Sequence, residues 1–282
     1  MSTFFLTLDL EEWYHLDYLK SFNLDTSVSL VPYIDSFLDN LDRLGIRMTV
    51  FALADVANKN RNLICKLASR GHEVATHGLN HDLLQTKTNE QFRAELSQAK
   101  SELEDLLGQK VRGYRAACYS IDDEKLGIVQ KCGFAYDSSF IRFSDHPLYG
   151  APKLKGFTAV DDLVYKRDGF YEFEIPTLKL LGKHIPISGG GYHRLFPWPV
   201  FQMLFRRYSK EYANFLFYVH PFELTARQVP LPAGVSMVNR FRFSVGRKNN
   251  AAKLDRLLRY AIEQGYEFST MSDYIVKQEQ LQ

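Results

Sequence analysis

The chain has 282 residues, 45% of them hydrophobic, with 35 basic against 33 acidic side chains and three cysteines. That apolar content supports a sizeable core and excludes a disordered chain, and a near-balanced charge without a basic run excludes a nucleic-acid-binding surface. An odd cysteine count (Cys65, Cys118, Cys132) with no Cys-x-x-Cys pair excludes a disulfide framework and a zinc finger.

The N-terminus lacks the basic and apolar regions of a signal peptide, and no run approaches the roughly 20 apolar residues of a membrane span. The expectation is a soluble bacterial cytoplasmic protein, at most peripheral to the inner membrane. Oligomeric state is not legible.

In chain order, Phe4 to Leu10 reads as a compact apolar strand. Ser29 to Leu44 carries Val31, Ile34, Phe37, Leu38, Leu41 and Leu44 at helical period and stops at Gly45. Ile46 to Leu53 is a strand, Asp55 to Arg70 a helix ended by Gly71, and His72 to Thr76 a strand. Thr88 with Gln91 forms a capping-box signature. The stripe Phe92, Leu96, Ala99, Leu103, Leu106 follows, and Gly108 ends it. Val111 to Tyr114 is a strand, Asp122 to Cys132 a helix ended by Gly133, and Phe134 to Tyr136 a strand. Residues 140–214, rich in Pro and containing Gly189-Gly190-Gly191, read as an irregular insertion of loops and short strands. Phe215 to Val219 is an aromatic strand, 221–248 a loop excursion, Asn250 to Gln264 a helix and Tyr266 to Thr270 a last strand. The alternation predicts one α/β domain over 1–282, with parallel strands and crossover helices in an open sheet or a barrel.

Five strands each deliver a polar group at the C-terminal end: Asp9, His77, Arg115, Asp137 and His220. In a (β/α) barrel those ends share the face that carries chemistry. Polar residues are also common wherever strands run into loops. His77 and His81, four residues apart, meet on one side of a helical turn and could share a metal. The third ligand should come from Asp9-Leu10-Glu11-Glu12. Alternation puts Asp9 and Glu11 on one side, so one could bind metal and the other accept a proton, with Glu12 in reserve. The bland alternative is an acidic strand-to-loop junction.

These residues resemble the polysaccharide deacetylase family, also called the NodB-homology group or carbohydrate esterase family 4. The resemblance spans residues 9 to 220 and five motifs in order. It implies a distorted (β/α)7 barrel with loop insertions. It implies Asp9 as catalytic base, a metal on His77, His81 and a nearby acid, Arg115 orienting the base, Asp137 tuning the catalytic histidine, and His220 as general acid. Glu11 is the acid of choice, because the residue after the base, usually an aspartate, is Leu10. Two other departures are Ala117, where a proline is usual, and a missing tryptophan in the fourth motif. Asp9-Leu10-Glu11-Glu12-Trp13, Tyr136-Asp137-Ser138-Ser139, Ser188 to Tyr192 and His220-Pro221-Phe222-Glu223 resemble the branch encoded with bacterial exopolysaccharide and exosortase systems.

The implied activity is hydrolysis of an N-acyl group, chiefly N-acetyl, from an amino sugar in a polysaccharide or its precursor. The implied metal is Zn2+, with Co2+ or Ni2+ as substitutes. A backbone N–H near Cys118 is expected to meet the oxyanion. Trp13, Tyr119, Tyr192 and Trp198 are candidate sugar platforms, against the general expectation that aromatics pack cores. Gly189 to Gly191 is either a close approach to substrate or a plain turn. His15 is a candidate pocket residue; His72, His146, His184 and His193 are expected to be structural or exposed. Two other readings are a metal-free amidohydrolase of a small cyclic amide or imide and, given Leu10 and Ala117, an inactive carbohydrate-binding protein.

Overall fold

The computed structural model describes residues 2–143, 147–180 and 182–281, so His146 lies outside the described residues. The strands are β1 (Thr3–Leu10), β2 (Thr49–Ala52), β3 (Glu73–Thr76), β4 (Gly113–Tyr114), β5 (Tyr136–Asp137), β6 (Thr158–Asp161), β7 (Val164–Arg167), β8 (Phe170–Phe173), β9 (Thr177–Leu180), β10 (Lys183–Pro186), β11 (Phe215–Val219) and β12 (Glu267–Phe268). The helices are α1 (Asp35–Leu44), α2 (Ala54–Lys59), α3 (Arg61–Ser69), α4 (Asn89–Leu107), α5 (Asp123–Lys131), α6 (Gly190–Leu195), α7 (Trp198–Tyr208), α8 (Met237–Ser244), α9 (Arg247–Glu263) and α10 (Met271–Gln280).

The main sheet runs β11-β1-β2-β3-β4-β5-β8 in parallel, then turns back antiparallel through β7 and β6. β1 is buried on both faces from Phe4 onward, as expected of a central parallel strand covered by helices. Although β1 and β8 stand five places apart in the sheet, the rings of Phe5 and Phe173 lie 5.3 Å apart. The sheet therefore curls into a barrel, and Phe5, Phe51, Tyr136 and Phe173 meet in its interior. Among the described residues no ladder joins β8 to β11; Ser188 O instead accepts from Tyr218 N at 3.0 Å on the outer side of β11. The result is an α/β fold of seven parallel strands in a distorted, incompletely closed barrel, with the short β12 added in parallel beside β1.

The span 140–214 contains the loops and short strands expected of it, but it also contributes β8, the seventh parallel strand. The stretch 29–44 is helical only from Asp35, after a 3₁₀ turn over Val31–Ile34 that includes Pro32. The helix expected over 55–70 breaks at Asn60 (φ −124°, ψ 41°), whose amide donates to Val56 O. Thr88 and Gln91 form the capping box in full, and Gly108 closes α4 in the left-handed conformation. The expected loop at 221–248 includes α8, capped by the Ser236 side chain on Asn239 N. A second small core of Trp13, Leu16, Leu19, Leu30, Phe222, Val229, Val235 and Phe243 ties 13–30 to 222–243 over the C-terminal ends of the strands.

Candidate active site

The C-terminal ends of β1, β3 and β11 deliver Asp9, His77 and His220 to an open cleft of about 730 Å³ lined also by Glu11, His81, Tyr119 and Tyr192, and the end of β4 places Arg115 against Asp9. Asp9 sits near the end of β1, and its Oδ1 accepts from Arg115 Nη1 at 2.7 Å. Arg115 is fully buried and uses all three of its nitrogens as donors. It donates to Thr7 Oγ1 (2.8 Å), Ser138 O (3.0 Å) and Ser138 Oγ (2.9 Å), and its guanidinium lies over the Phe51 ring. Burial opposes its charge, but the Asp9 carboxylate outweighs that and holds Arg115 above its ordinary range. A rigid cation therefore fixes one carboxylate oxygen and leaves the other facing His220 Nε2 at 3.9 Å.

Glu11, His77 and His81 bring one ligand atom each to within 4.8 Å of one another, all three buried. His77 Nδ1 lies 2.8 Å from Arg115 O, and a carbonyl can only accept, so Nδ1 carries the proton and Nε2 keeps its lone pair. Burial pulls His77 down to about 4, which keeps it neutral. Glu11 Oε2 is buried and stands 2.8 Å from His81 Nε2, yet accepts no hydrogen bond. Burial alone would raise the Glu11 carboxyl; His81, His220 and His77 around it hold it below its ordinary range. Two imidazoles, one ionised carboxylate and an orphaned buried oxygen fit a borderline divalent cation. Glu12 is not part of this set. Its carboxylate turns away to Ser29 Oγ and to Leu30 N (2.9 Å), because the backbone turns tightly after Asp9.

His220 follows β11. Its Nε2 faces Asp9 and Glu11 (3.9 and 3.8 Å), and its Nδ1 is 3.0 Å from Glu223 Oε2. Burial works against protonation, but Glu223 first, then Glu11 and Asp9, push His220 up to about 9. Glu223 is buried and is held down at about 2 by Arg194, whose Nε donates to Oε1 at 2.9 Å, and by His220. The partner expected for His220 was Asp137; the structure corrects this to Glu223. Asp137 is still inside the ladder, paired with Tyr114 on one side and Glu172 on the other. Its oxygens accept from Ser139 N (2.8 Å) and Ser139 Oγ (3.0 Å), and Glu172 accepts from the same Ser139 N (3.0 Å). Burial raises both carboxyls, and the pair braces the 138–140 turn through Ser139 and Phe140 N. Asp137 acts on the site at a distance, because that turn carries the Ser138 that grips Arg115.

The Arg194–Glu223–His220 chain is the part that sequence reasoning missed. The signal was the pairing of a glycine run with His-Pro-Phe-Glu. A Cβ on Gly190 would lie 2.1 Å from Glu223 Oε2, and one on Gly189 would lie 2.4 Å from the Tyr218 hydroxyl. Gly189 and Gly190 make room for the tyrosine and the acid, while Gly191, with open space at its Cβ position, lines the cleft.

Cys118 (φ 50°) and Tyr119 (φ 53°) are consecutive non-glycine residues in the left-handed region, on the cleft wall. Burial pushes the Cys118 thiol up to about 12, which excludes a thiolate nucleophile. Tyr119 and Tyr192 line the cleft, with Tyr18, Tyr149 and Tyr218. Trp13 does not. It is fully buried in the second core, and its Nε1 donates to Val28 O at 2.7 Å. Trp198 packs on Phe201 and Tyr260 away from the cleft lining. His15 stacks behind His81 (8° between planes) and does not line the cleft. His72 and His193 are buried, and His184 pairs with Thr177 Oγ1.

A family model for polysaccharide deacetylase matches residues 22–136, and one described as a domain of unknown function, DUF3473, matches 138–276. Chitin deacetylase 1 of Cryptococcus neoformans var. grubii is 26% identical over 102 residues, which are 36% of this chain and 22% of that protein. The chain thus spans under a quarter of that relative. Similar solved structures include Puue allantoinase, at 17% identity over 98% of this chain and 89% of that one, with a TM-score of 0.62. A mutant of BA3943, a CE4 family pseudoenzyme with restored enzymatic activity, gives 14% identity over 98% and 68%, with a TM-score of 0.57. PdaA of Bacillus subtilis, a family 4 carbohydrate esterase, gives 16% over 98% and 81%, with a TM-score of 0.51. At such identities these structures establish a shared fold. The chain therefore carries a polysaccharide deacetylase segment over 22–136, followed by a DUF3473 segment that supplies β8 and β11.

Proposed function

We propose that the chain is a metal-dependent hydrolase that removes an N-acetyl group from an amino sugar in a polysaccharide or a polysaccharide precursor. The observation that carries this reading is one cleft in which an arginine-clamped carboxylate and a carboxylate-clamped histidine flank a Glu-His-His trio. A divalent ion on Glu11, His77 and His81, Zn2+ by ligand type with Co2+ or Ni2+ as substitutes, would polarise the acyl carbonyl and acidify a water.

The chain's own groups do the rest. Arg115 fixes one oxygen of Asp9, and the other, facing His220, takes the proton of the attacking water. As the water oxygen adds to the carbonyl carbon, a backbone N–H near Cys118 meets the developing oxyanion. His220 gives the proton on Nε2 to the amide nitrogen, and the C–N bond breaks to release the amine and the carboxylic acid. Glu223 holds the His220 Nδ1–H throughout and thereby fixes which nitrogen donates. The tyrosine-rich cleft wall suits the apolar faces of sugar rings, and its openness suits a chain rather than a small cyclic amide.

The test combines elemental analysis with turnover of N-acetylglucosamine oligomers, for wild type and His77→Ala/His81→Ala. Near-stoichiometric metal and amine release in wild type, both lost in the double variant, are expected. Turnover of a cyclic amide by metal-free protein would replace this reading with the amidohydrolase. Saccharide binding without turnover in metal-loaded wild type would replace it with the binding protein.

A further inference from the structure

The chain is nearly neutral, yet between Glu223 and Asp255 it contains six basic residues and no acidic one. This acid-free stretch holds α8, where Met237 (82%), Val238 (65%) and Phe241 (58%) are exposed. At about 100° per residue these three fall within one arc, opposite the buried Phe243. Arg242, next to Phe241 on α8, and Lys248, in the first turn of α9, are exposed. The helix is rigidly mounted. Arg194 donates to Phe243 O (3.3 Å), Val245 O (2.6 Å) and Arg242 O (3.2 Å), and Arg240 donates to Val235 O (3.1 Å). It also borders the cleft: Phe241, Arg242 and Val245 line it together with Leu195, itself 48% exposed.

We propose that this face of α8 docks on an anionic lipid bilayer and sets the cleft mouth against the membrane surface. Single exposed apolar residues are ordinary. An apolar helical arc with basic residues beside it, in a stretch cleared of acids, has the chemistry of an interfacial helix, with the side chains entering the acyl boundary and the cations meeting phosphate headgroups. The same Arg194 that fixes α8 holds the Glu223 beneath His220, so the docking face and the reacting groups keep one geometry. A glycan presented at a membrane surface would thus reach the cleft from the side that carries Phe241 and Leu195. No helix among the described residues is long and apolar enough to cross a membrane, so attachment through α8 would be peripheral.

The test is co-sedimentation of the full chain with phosphatidylcholine vesicles, with and without roughly a third phosphatidylglycerol. Wild type is expected to bind only the anionic vesicles and to be released as salt rises from about 0.1 M to about 1 M, where the screening length shrinks from about 10 Å to about 3 Å. Met237→Ser/Val238→Ser removes two side chains outside the cleft lining and should lower partition by about tenfold or more. Lys248→Glu should weaken binding at low salt only. Both variants should keep the wild-type melting temperature and turn over a water-soluble oligomer at the wild-type rate, so this inference and the deacetylase reading fail separately. Wild type that ignores anionic vesicles, or a folded Met237→Ser/Val238→Ser that binds them equally, would overturn the proposal. So would a wild-type dimer that this variant converts to monomer, which would make the face a contact between copies.

Discussion

Replacing Glu223 with glutamine isolates the least expected part of the site. The substitution keeps size and leaves an amide oxygen for Arg194 Nε, now 2.9 Å from Oε1, so the buried cation retains an acceptor. What it removes is the carboxylate 3.0 Å from His220 Nδ1, the largest of the groups that push His220 up to about 9. Loss of an opposite charge at that distance is worth about 1–3 pKa units, so His220 falls back towards its ordinary range of about 6.5. The general acid must be protonated, so rate falls as pH rises through this pKa. The alkaline limb of kcat/KM should therefore move to lower pH by more than about one unit. An amide NH2 aimed at Nδ1 would also oppose the imidazolium, whose Nδ1–H needs an acceptor there. The combined loss in kcat at neutral pH should be roughly 10²- to 10⁴-fold, with KM little changed. The assay is amine release across a pH series, with melting temperature and metal content as controls. A folded, metal-loaded Glu223→Gln with kcat within about threefold of wild type and an unmoved alkaline limb would refute the assignment.

Three further outcomes follow from the packing. Gly190→Ala would drive its Cβ to 2.1 Å from Glu223 Oε2, so it should cost activity out of proportion to a stability loss of about 1–3 kcal/mol, seen by comparing kcat with urea midpoints. Trp13→Phe loses the Nε1 hydrogen bond in the second core and should destabilise by about 1–3 kcal/mol without raising KM, whereas Tyr192→Ala on the cleft wall should raise KM; the reverse pattern would restore Trp13 as a sugar platform. Burial pulls His193 down to about 3, with Lys253 next in effect. The unfolded chain takes up this proton below about 6.5 and the folded chain does not, so stability should fall as pH drops from about 6.5 towards 3. Urea midpoints against pH should show a shallower decline in a folded His193→Gln.

Much of this was legible before any tertiary contact. The βα rhythm, the capping box at Thr88 and the glycine stops at Gly45 and Gly108 rest on periodicity and local hydrogen bonding, which a sequence carries directly. So did the convergence of Asp9, His77, Arg115 and His220, because parallel strands in one sheet share a C-terminal edge. Glu11 over Glu12 was half legible: alternation favoured Glu11, and only the contact of Glu12 with Ser29 and Leu30 removed the reserve candidate.

The remaining distinctions depended on groups far apart in sequence. Asp137 ends a short strand just as Asp9 and Arg115 lie at strand ends, and no local pattern shows that it remains in the ladder beside Glu172. Glu223 follows His220 closely, but its charge and position come from Arg194, 29 residues earlier, through a gap that Gly190 leaves open. Trp13 sits in a motif beside Asp9 and Glu11 yet turns into a second core made with 222–243. By itself, then, the sequence determined which strand ends carry reactive groups. Only the tertiary structure decided which of those groups touch, because burial and charge pairing are properties of neighbours in space.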